Sequence, residues 1–345
     1  MKSSPITFAL IGCGRVARQH LRALRHHGAR AELVAVCDPN PARRREASLE
    51  HGAPGFASLA ELLAAQRPDV LILTSPSGLH PEQAILGAGH GCHIICEKPI
   101  ATRLEDGLRM VEACEAAQRS LFIVKQLRYN PTLQLLQKTL AAGRFGKVHL
   151  VDIDVFWTRP QDYYDAEPWR GTLALDGGAF LNQTSHYVDL LSWLFGPVAQ
   201  VHAFTATLGR AIEVEDSGVL TLRWRDGALG SMSVTMLTFP ENLRASMTIA
   251  GSQGTAVLGG KACDQIETWQ FLDAPDGELP DIDLINAQTR DFYGQGHRCV
   301  YANVLDALQH GAPVDVDGRE GLKSLEIIEA AYRSARLQTT VELPL

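Results

Sequence analysis

The segment DGGAFLNQTSHYVDLL, residues 176–191, places an amide, an imidazole and a carboxylate at Asn182, His186 and Asp189. On one continuous helix these three side chains would share a narrow face. The opposite face would carry apolar side chains, namely Phe180, Tyr187, Leu190, Leu191 and Leu194. An unperturbed imidazole has a pKa of about 6.5, which suits proton transfer at neutral pH. The pattern predicts a catalytic face, and the alternative is the solvated side of an amphipathic helix.

The bulk composition limits the class of protein. At 345 residues the chain has room for about two domains. A net charge of −7 and a pI near 5.9 argue against a nucleic-acid or anionic-membrane partner. The apolar runs are far shorter than the ~20 residues that a membrane span needs, and Met1 to Pro5 opens no signal-peptide pattern. We therefore expect a cytoplasmic protein.

The cysteine usage indicates reduced thiols. The chain has seven cysteines and no CxxC pair, so a disulfide framework is not predicted. Cys92, His93 and Cys96 are close in sequence, but on a strand His93 would point away from the two cysteines. Buried packing is therefore favoured there over a zinc site, and no metal is expected.

Five short apolar runs alternate with stretches of helical periodicity in the first part of the chain. The runs are ITFALI, ELVAVC, DVLILT, HIIC and LFIV. Continuous apolar strands separated by helices are typical of a parallel sheet covered on both faces. Residues 1–125 are therefore predicted to form a doubly wound parallel Rossmann domain.

The turn after the first run has the G-x-G-x-x-A form of a dinucleotide-binding motif. Gly12 permits the tight turn, Gly14 lets a pyrophosphate approach the backbone, and Ala17 keeps helix and sheet close. Asp38, which ends the second run, would accept hydrogen bonds from the adenosine ribose and repel a 2′-phosphate. Residues 43–45 are arginines that could serve such a phosphate, but a solvated helix start is favoured for them. NAD is therefore the predicted cofactor.

Other strand ends complete the predicted cofactor crevice. Ligands of open parallel sheets bind beyond the carboxyl ends of the strands, where this chain has Glu97-Lys98-Pro99 and the loop 74–80. Lys98 would face the nicotinamide end, the alternative being a surface lysine before a turn. The residues expected to contact the cofactor are Gly12, Cys13, Gly14, Arg15, Val16, Asp38, Thr74, Ser75, Pro76, His80, Glu97, Lys98 and Gln126.

Longer strands are predicted in residues 126–345. They are KVHLVDIDVFW, VAQVHAFTATL, SGVLTLRW, ALGSMSVTML, ASMTIAG and TAVLGG, preceded by a helix near 131–142. Hairpin turns at 225–227 and 251–254 predict a large, mostly antiparallel sheet in an α+β domain. Helices near 296–309 and 319–337 could pack back on the first domain. The uncovered sheet face predicts a homo-oligomer, either a dimer or a tetramer.

With these motifs placed, the chain resembles the glucose–fructose oxidoreductase / inositol dehydrogenase / rhizopine catabolism (Gfo/Idh/MocA) family. The resemblance covers essentially the whole chain and rests on GCGRVA, Asp38, EKP, VKQLRYNP and GGAFLNQTSHYVDLL. It implies a Rossmann domain paired with an open-faced α/β domain that mediates oligomers. It also implies NAD(P)-dependent oxidation or reduction of sugar and cyclitol hydroxyls without a metal.

Further segments are similar to one branch of that family. SPSGLHPEQA, VDIDVFWTRPQDYYD, EPWRG and VHAFTATL look like those of bacterial dehydrogenases that oxidise C3 of UDP-N-acetyl-D-glucosaminuronic acid, in the synthesis of diacetamido-uronic acids for lipopolysaccharide O-antigen. A loop from Phe156 to Gly171 supplies arginines for anions and aromatic rings for stacking. The alternative is a solvated surface loop. The candidate substrate-binding residues are Lys98, Arg128, Arg159, Gln161, Tyr164, Trp169, Arg170, Asn182 and His186.

The candidate catalytic residues are Lys98, His186 and Asn182. His186 is the first candidate base, and Lys98 could bind the reacting hydroxyl or relay its proton. Many family members have an aspartate where this chain has Asn182, and an amide supplies no negative charge to stabilise an imidazolium. Asp189 could replace that charge or make a local hydrogen bond on the helix surface. The division of labour between His186 and Lys98 stays open.

Two other functions are compatible with the sequence. One is an NAD-dependent dehydrogenase of a free sugar or cyclitol such as inositol, against which the arginine-rich loop argues. The other is a non-catalytic NAD-sensing protein, because a fold of this type can bind a cofactor without turnover. The presence of both Lys98 and His186 argues against that alternative.

Overall fold

The chain folds into two compact units, seen in a computed structural model that describes residues 4–272, 280–292 and 295–345. One unit comprises residues 1–126 and 294–322, and the other comprises residues 127–293 and 323–345. The first unit thus takes a late stretch of the chain in addition to the predicted N-terminal domain.

The first unit is built on a parallel sheet. Up to residue 126 its elements are β1 (Ile6–Ile11), α1 (Ala17–His26), β2 (Ala31–Cys37), α2 (Pro41–His51), β3 (Gly55–Phe56), α3 (Leu59–Ala65), β4 (Val70–Leu73), α4 (His80–Gly89), β5 (His93–Cys96), α5 (Leu104–Ala116) and β6 (Leu121–Ile123). The six strands lie in the order β3-β2-β1-β4-β5-β6, and every pair is parallel. This confirms the doubly wound Rossmann fold and adds the short β3.

The rest of the chain forms a second sheet and further helices. These elements are α6 (Pro131–Ala141), β7 (Val148–Phe156), α7 (Gln161–Asp165), α8 (Ser185–Phe195), β8 (Val198–Ala206), β9 (Ser217–Trp224), β10 (Leu229–Thr235), β11 (Arg244–Gly251), β12 (Gly254–Gly259), β13 (Gln265–Phe271), α9 (Ile282–Phe292), α10 (Gly296–His310), α11 (Gly318–Leu337) and β14 (Val341–Glu342). The eight strands are ordered β13-β12-β11-β7-β10-β9-β8-β14, and among their pairs only β7 and β10 run parallel. The mostly antiparallel sheet is confirmed, with β13, β14, α7 and α9 as elements that the pattern did not predict.

One face of the second sheet is packed against helices. Along β9, buried and exposed residues alternate from Gly218 to Trp224, as expected for a strand with one covered face. The Trp224 indole donates to the carbonyl of Leu191 in α8 at 3.1 Å. The hydroxyl of Ser334 in α11 accepts from the Ala203 amide in β8 at 3.0 Å. Helices α8 and α11 therefore cover the inner face.

Helix α10 belongs to the first unit and packs against α1. The Arg30 guanidinium, which follows α1, donates to Gln309 and Asp306 in α10 at 2.8 and 2.7 Å. In the described ranges 4–272, 280–292 and 295–345, no helix is long and apolar enough to cross a membrane.

Candidate active site

The first turn of the Rossmann unit has the geometry that a bound pyrophosphate requires. Gly12 has φ +93°, and a Cβ there would lie 2.8 Å from the backbone nitrogen of Ser75, so only glycine fits. A Cβ on Gly14 would meet no atom within 4 Å, which leaves space beside the backbone. Helix α1 then begins with no acidic residue in its first turn. The residues present therefore fit an anionic dinucleotide at this helix start.

Asp38 organises the same turn from the end of β2. Its buried carboxylate accepts from the backbone nitrogens of Cys13 at 2.7 Å and Asn40 at 2.8 Å. An ionised carboxylate has about four acceptor positions, so capacity remains for ribose hydroxyls. Residues 43–45 lie at the start of α2, as expected, and none of the three arginines is buried. Arg44 is half-buried because it donates to the carbonyl of Asp38 at 2.7 Å.

The loop after β4 closes against the glycine turn. The Thr74 hydroxyl is buried and donates to the carbonyl of Ile11 at 3.0 Å, while the Ser75 hydroxyl donates to Gln83 at 2.6 Å. Both ring nitrogens of buried His80 lie 3.0 Å from backbone carbonyls, those of Pro99 and Ser75. The His80 imidazole therefore ties two strand ends together. Pro76 is half-buried between these groups, and Val16 and Arg15 follow the glycine turn, Arg15 being exposed.

Glu97 is the centre of a buried cluster that the sequence did not reveal. One carboxylate oxygen, Oε1, lies 2.9 Å from Nε2 of His20 and 3.1 Å from Nε2 of His297. Nδ1 of His20 lies 2.9 Å from the Tyr301 hydroxyl. Burial opposes ionisation, but the hydrogen bonds from both imidazoles hold the pKa of Glu97 well below its usual value. The carboxylate thus faces α1 and α10, and we expect any contact of Glu97 with the cofactor to use its backbone.

The Glu97 cluster has donor atoms that a divalent metal can use. The candidate ligand atoms of its carboxylate and two histidines lie within 4.8 Å of one another. However, both Nε2 atoms are at hydrogen-bonding distance from the same carboxylate oxygen, and the cluster is fully buried. Two N–H donors on one ionised acceptor account for this arrangement without an ion. The expectation of no metal therefore stays our prediction.

Lys98 is held directly beside this cluster. Its backbone nitrogen donates to Oε2 of Glu97 at 3.1 Å, its side chain is half-buried, and the Lys98–Pro99 peptide is cis. Gln126 begins a short 3₁₀ turn at the end of the unit, half-buried. The structure thus gathers the predicted cofactor residues of the first unit at the carboxyl ends of its strands.

The polar segment of the second unit is not one continuous helix. A π-helical turn spans Ala179–Gln183, and α8 begins only at Ser185. The prediction of a single helical face through Asn182, His186 and Asp189 was therefore wrong. Asn182 and His186 are half-buried, whereas Asp189 is fully buried. Four of the five predicted apolar positions are buried, namely Phe180, Tyr187, Leu190 and Leu191, and Leu194 is half-buried.

Asp189 and Arg128 form a buried ion pair. Nε and Nη2 of Arg128 donate to the two carboxylate oxygens of Asp189 at 2.7 and 2.8 Å, and the guanidinium lies 5.3 Å from the Trp193 ring centroid. The expectation of a surface carboxylate at position 189 was wrong. Two donors of the Arg128 fork are occupied, so its predicted role in substrate binding loses support.

Glu215 supports the π-helical turn from behind. Its Oε1 accepts from the Phe180 backbone nitrogen at 3.0 Å and from the Tyr332 hydroxyl at 2.9 Å. A Cβ on Gly178 would overlap its carboxylate, which explains a glycine there. Burial, assisted by the nearby Asp216 carboxylate, raises the pKa of Glu215 to about 7. The turn that carries Asn182 is thus hydrogen-bonded to a carboxylate whose pKa is raised to about 7.

We expect Glu215→Gln to stabilise the protein above pH 7. Because the folded-state pKa of Glu215 is raised from 4.5 to about 7, the native state holds an extra proton between these values, and wild-type stability falls as pH rises through that window. Glutamine keeps an acceptor for Phe180 and Tyr332 but never ionises. The gain should grow to at most about 3 kcal/mol near pH 8. Urea unfolding from pH 5 to pH 8 measures it, with exposed Glu213→Gln as control; a pH-independent difference would contradict the prediction.

Residues 157–170, which follow β7 in the sequence and precede the π-helical turn, contain a cluster of arginines packed against aromatic rings. The guanidinium of Arg170 lies 4.3 Å from the Tyr163 ring centroid and that of Arg159 lies 5.3 Å from Trp157. Nη1 of Arg170 donates to the Tyr163 carbonyl at 2.6 Å, while its buried Nε has no partner in the described part of the chain. Among the described residues neither arginine pairs with a carboxylate. Uncompensated guanidinium groups of this kind suit an anionic ligand.

The remaining loop predictions have different outcomes. Tyr164 is almost fully buried, and burial raises the pKa of its phenol, so its ring is part of the core. Gln161 donates to Asp165 at 3.0 Å and accepts from the Ala211 backbone nitrogen at 2.8 Å, which holds the loop itself. Trp169 is half-buried beneath Arg170, 5.6 Å from its guanidinium.

Sequence reasoning missed several residues of this region. They are His20, His297 and Tyr301 in the first unit, and Asp176 and Glu215 in the second. Of these, only Asp176 had a signal in the sequence, because it opens the DGG of the polar segment 176–191. The others depend on contacts between residues far apart in the sequence.

A Rossmann unit with this glycine turn, and with a buried carboxylate at the end of its second strand, is that of an NAD-dependent oxidoreductase. The comparisons with known proteins agree. Residues 6–125 match the oxidoreductase family with an NAD-binding Rossmann fold, and residues 133–257 match the GFO/IDH/MocA C-terminal domain. The chain belongs to the Gfo/Idh/MocA family. It is an NAD-dependent sugar dehydrogenase.

Solved structures and curated relatives give more detail. The chain is 51% identical to the WlbA dehydrogenase of Bordetella pertussis, with a TM-score of 0.96, covering 100% of this chain and 99% of that one. It is 52% identical to the Chromobacterium violaceum WlbA dehydrogenase, with a TM-score of 0.93 and coverage of 100% and 98%. Both structures contain NADH and UDP-GlcNAcA. A D-apiose dehydrogenase of Paraburkholderia graminis is 28% identical, covering 97% of this chain and 89% of the relative.

Proposed function

We propose that this protein oxidises the C3 hydroxyl of UDP-N-acetyl-D-glucosaminuronic acid to the 3-keto sugar, with NAD as the oxidant. The observation that carries the proposal is the full-length likeness, at 51% and 52% identity, to two dehydrogenases whose structures hold NADH and UDP-GlcNAcA. The relatives that act on uncharged sugars are more distant, at 28% for the D-apiose enzyme and 27% for a myo-inositol 2-dehydrogenase.

The arginine and aromatic cluster supports a substrate with two kinds of anionic group, a diphosphate and a carboxylate. The chain carries a net charge of −7, so an anion needs a local cationic site. Arg159 and Arg170 provide guanidinium groups without carboxylate partners among the described residues, and Tyr163 holds Arg170 by stacking. Such a fork can donate two parallel hydrogen bonds to a carboxylate or diphosphate. A free cyclitol would have no use for these charges.

Three side chains are proposed to act on the reacting sugar. When bound, NAD supplies the acceptor for the hydride. His186, on the first turn of α8, is proposed to take the hydroxyl proton. Lys98, which follows β5, is proposed to donate a hydrogen bond to the sugar and to stabilise developing negative charge. Asn182 binds a sugar hydroxyl or orients the imidazole.

The direct test is an absorbance assay for NADH. Purified protein is mixed with NAD and UDP-N-acetylglucosaminuronic acid, and parallel reactions contain myo-inositol, D-apiose and UDP-N-acetylglucosamine. NADH formation with the uronic acid alone, together with a 3-keto product by mass spectrometry, is the expected result. Turnover of inositol or apiose with no turnover of the uronic acid would replace the proposal by a free-sugar dehydrogenase.

Arg170→Gln tests the anion site separately. Loss of a charge-assisted hydrogen bond costs about 1.5–3 kcal/mol, so KM for the uronic acid should rise about 10- to 100-fold. Binding of NAD should not change, because Arg170 lies in the second unit. The exposed Arg225→Gln is the matched control. An unchanged KM would remove Arg170 from the binding site.

The proposed place of this reaction is the synthesis of diacetamido-uronic acids for lipopolysaccharide O-antigen. A 3-keto sugar is the form in which an amino group can enter C3 at a later step. The proposed compartment is the cytoplasm, which agrees with seven cysteines that are all free thiols. The proposal is supported further if deletion of the gene abolishes that sugar from the surface polysaccharide.

We also propose that the outer face of the second sheet forms a homo-oligomer, a dimer or a tetramer. Two cross-strand pairs of exposed apolar side chains lie on that face. They are Leu150 with Leu229 and Phe204 with Val219. Phe204 is 66% exposed, and the other three are close to half exposed. Exposed apolar side chains on an uncovered sheet face are typical of a subunit interface.

Light scattering at micromolar concentration should give a multiple of the 37.6 kDa chain mass. Phe204→Lys should shift the protein towards a monomer because a buried lysine has no partner in a two-fold sheet interface. The control is Leu49→Lys, which changes an equally exposed leucine on α2. A monomeric wild type would overturn this proposal.

A further inference from the structure

Asp176 is a buried carboxylate attached to the turn that carries Asn182. Its side chain has no exposed surface. Oδ2 accepts from the backbone nitrogen of Gly171 at 2.6 Å, and Oδ1 accepts from Nδ2 of Asn182, six residues further on. Both residues lie in the second unit.

This contact determines how the Asn182 amide is presented. A carboxylate can only accept from Nδ2, so the amide cannot rotate by 180° without placing two oxygens against each other. Oδ1 of Asn182 therefore lies on the side of the amide away from Asp176. The group that Asn182 offers on that side is an acceptor, which suits an imidazole N–H or a sugar hydroxyl.

The second contact of the turn restricts it further. The Phe180 backbone nitrogen donates to Glu215, so the turn of residues 179–183 is bound to one buried carboxylate through its backbone and to another through Asn182. The Asp176 carboxylate also lies close to the Tyr164 phenol, whose pKa is raised first by burial and further by nearby negative charge, that of Asp176 included. A buried negative charge next to an amide polarises it and strengthens its oxygen as an acceptor.

We propose that Asp176 is a positioning residue for hydride transfer, which supplies through Asn182 the negative charge that an aspartate at position 182 would supply directly. The inference rests on the proposed role of Asn182 in the reacting site. The sequence left open which group could stabilise an imidazolium when position 182 is an amide. On this proposal the carboxylate of Asp176 does so through the side chain of Asn182.

The test is a double-mutant cycle of Asp176→Asn, Asn182→Asp and the double variant. In the double variant the carboxylate and the amide exchange positions. Asn182→Asp alone places two carboxylates in contact in a buried site, so kcat should fall by about 100-fold or more. Asp176→Asn alone removes the negative charge that polarises the amide of Asn182, and kcat should fall about 10-fold with KM little changed. The double variant restores one carboxylate and one amide, so kcat should return to within about 10-fold of wild type.

The pH profile separates positioning from simple structural support. In the double variant the carboxylate stands four residues before His186, so the limb of the kcat profile that reports the base should move to higher pH. Unfolding midpoints of all variants show whether each one is folded, and exposed Asp162→Asn is the control. The substrate is the sugar with the highest turnover in the NADH assay, so failure of the uronic acid there tests the proposed function alone. Additive effects on kcat, or an unchanged kcat and pH profile in Asp176→Asn, would overturn the role of Asp176.

Discussion

Lys98→Ala is expected to lower kcat by about 10²–10⁴-fold while NAD still binds. Lys98 follows the end of β5, which is held by hydrogen bonds to Glu97. The backbone nitrogen of Lys98 and two imidazoles all donate to the Glu97 carboxylate. Truncation of its side chain leaves those bonds intact, so the glycine turn and Asp38 keep their geometry. The loss should therefore appear in the chemical step and not in cofactor affinity.

The measurements are steady-state kinetics with the sugar substrate and fluorescence titration with NADH. Lys147→Ala, an exposed lysine before β7, is the matched control and should behave as wild type. A kcat close to wild type in Lys98→Ala would remove this residue from the mechanism. A large rise in the NADH dissociation constant would assign it to cofactor binding instead.

The Rossmann unit could be predicted from sequence because its signals are local. Each central strand is a short apolar run, and β4 is buried at all four positions, as expected for a strand covered on both faces. The glycine turn joins β1 to α1 within a few residues. By contrast, β3 has only two residues, and its pairing with β2 at Val36 and Cys37 has no local signature.

The candidate site was harder to predict because its key contacts are between distant residues. The periodicity of 176–191 indicated one helix, but the close approach of Glu215 to Gly178 and its bond to the Phe180 amide favour a π-helical turn before α8. The ion pair between Arg128 and Asp189 spans 61 positions. It gives Arg128, a candidate substrate ligand, and Asp189, a candidate charge for the imidazolium, a buried structural contact instead. No spacing rule within a helix reports a partner that far away.

His186→Asn tests which residue takes the proton. Wild-type kcat should fall at acid pH, where a protonated imidazole is no longer a base. His186 is on the first turn of α8 and half-buried, and asparagine can keep a hydrogen bond there without accepting a proton. We expect kcat to fall by about 10²–10⁴-fold and the acidic limb of the profile to disappear.

The result depends on how the charge is arranged around the imidazole. If His186 is the base, its imidazolium is stabilised by a negative charge, which we propose that the buried carboxylate of Asp176 supplies through its hydrogen bond with Asn182. The exposed His149→Asn, on β7, is the control. An unchanged rate and pH profile in His186→Asn would exclude His186 as the base and leave Lys98 as the remaining candidate. In that case the acidic limb of the kcat profile that persists in His186→Asn should be absent from the profile of Lys98→Ala.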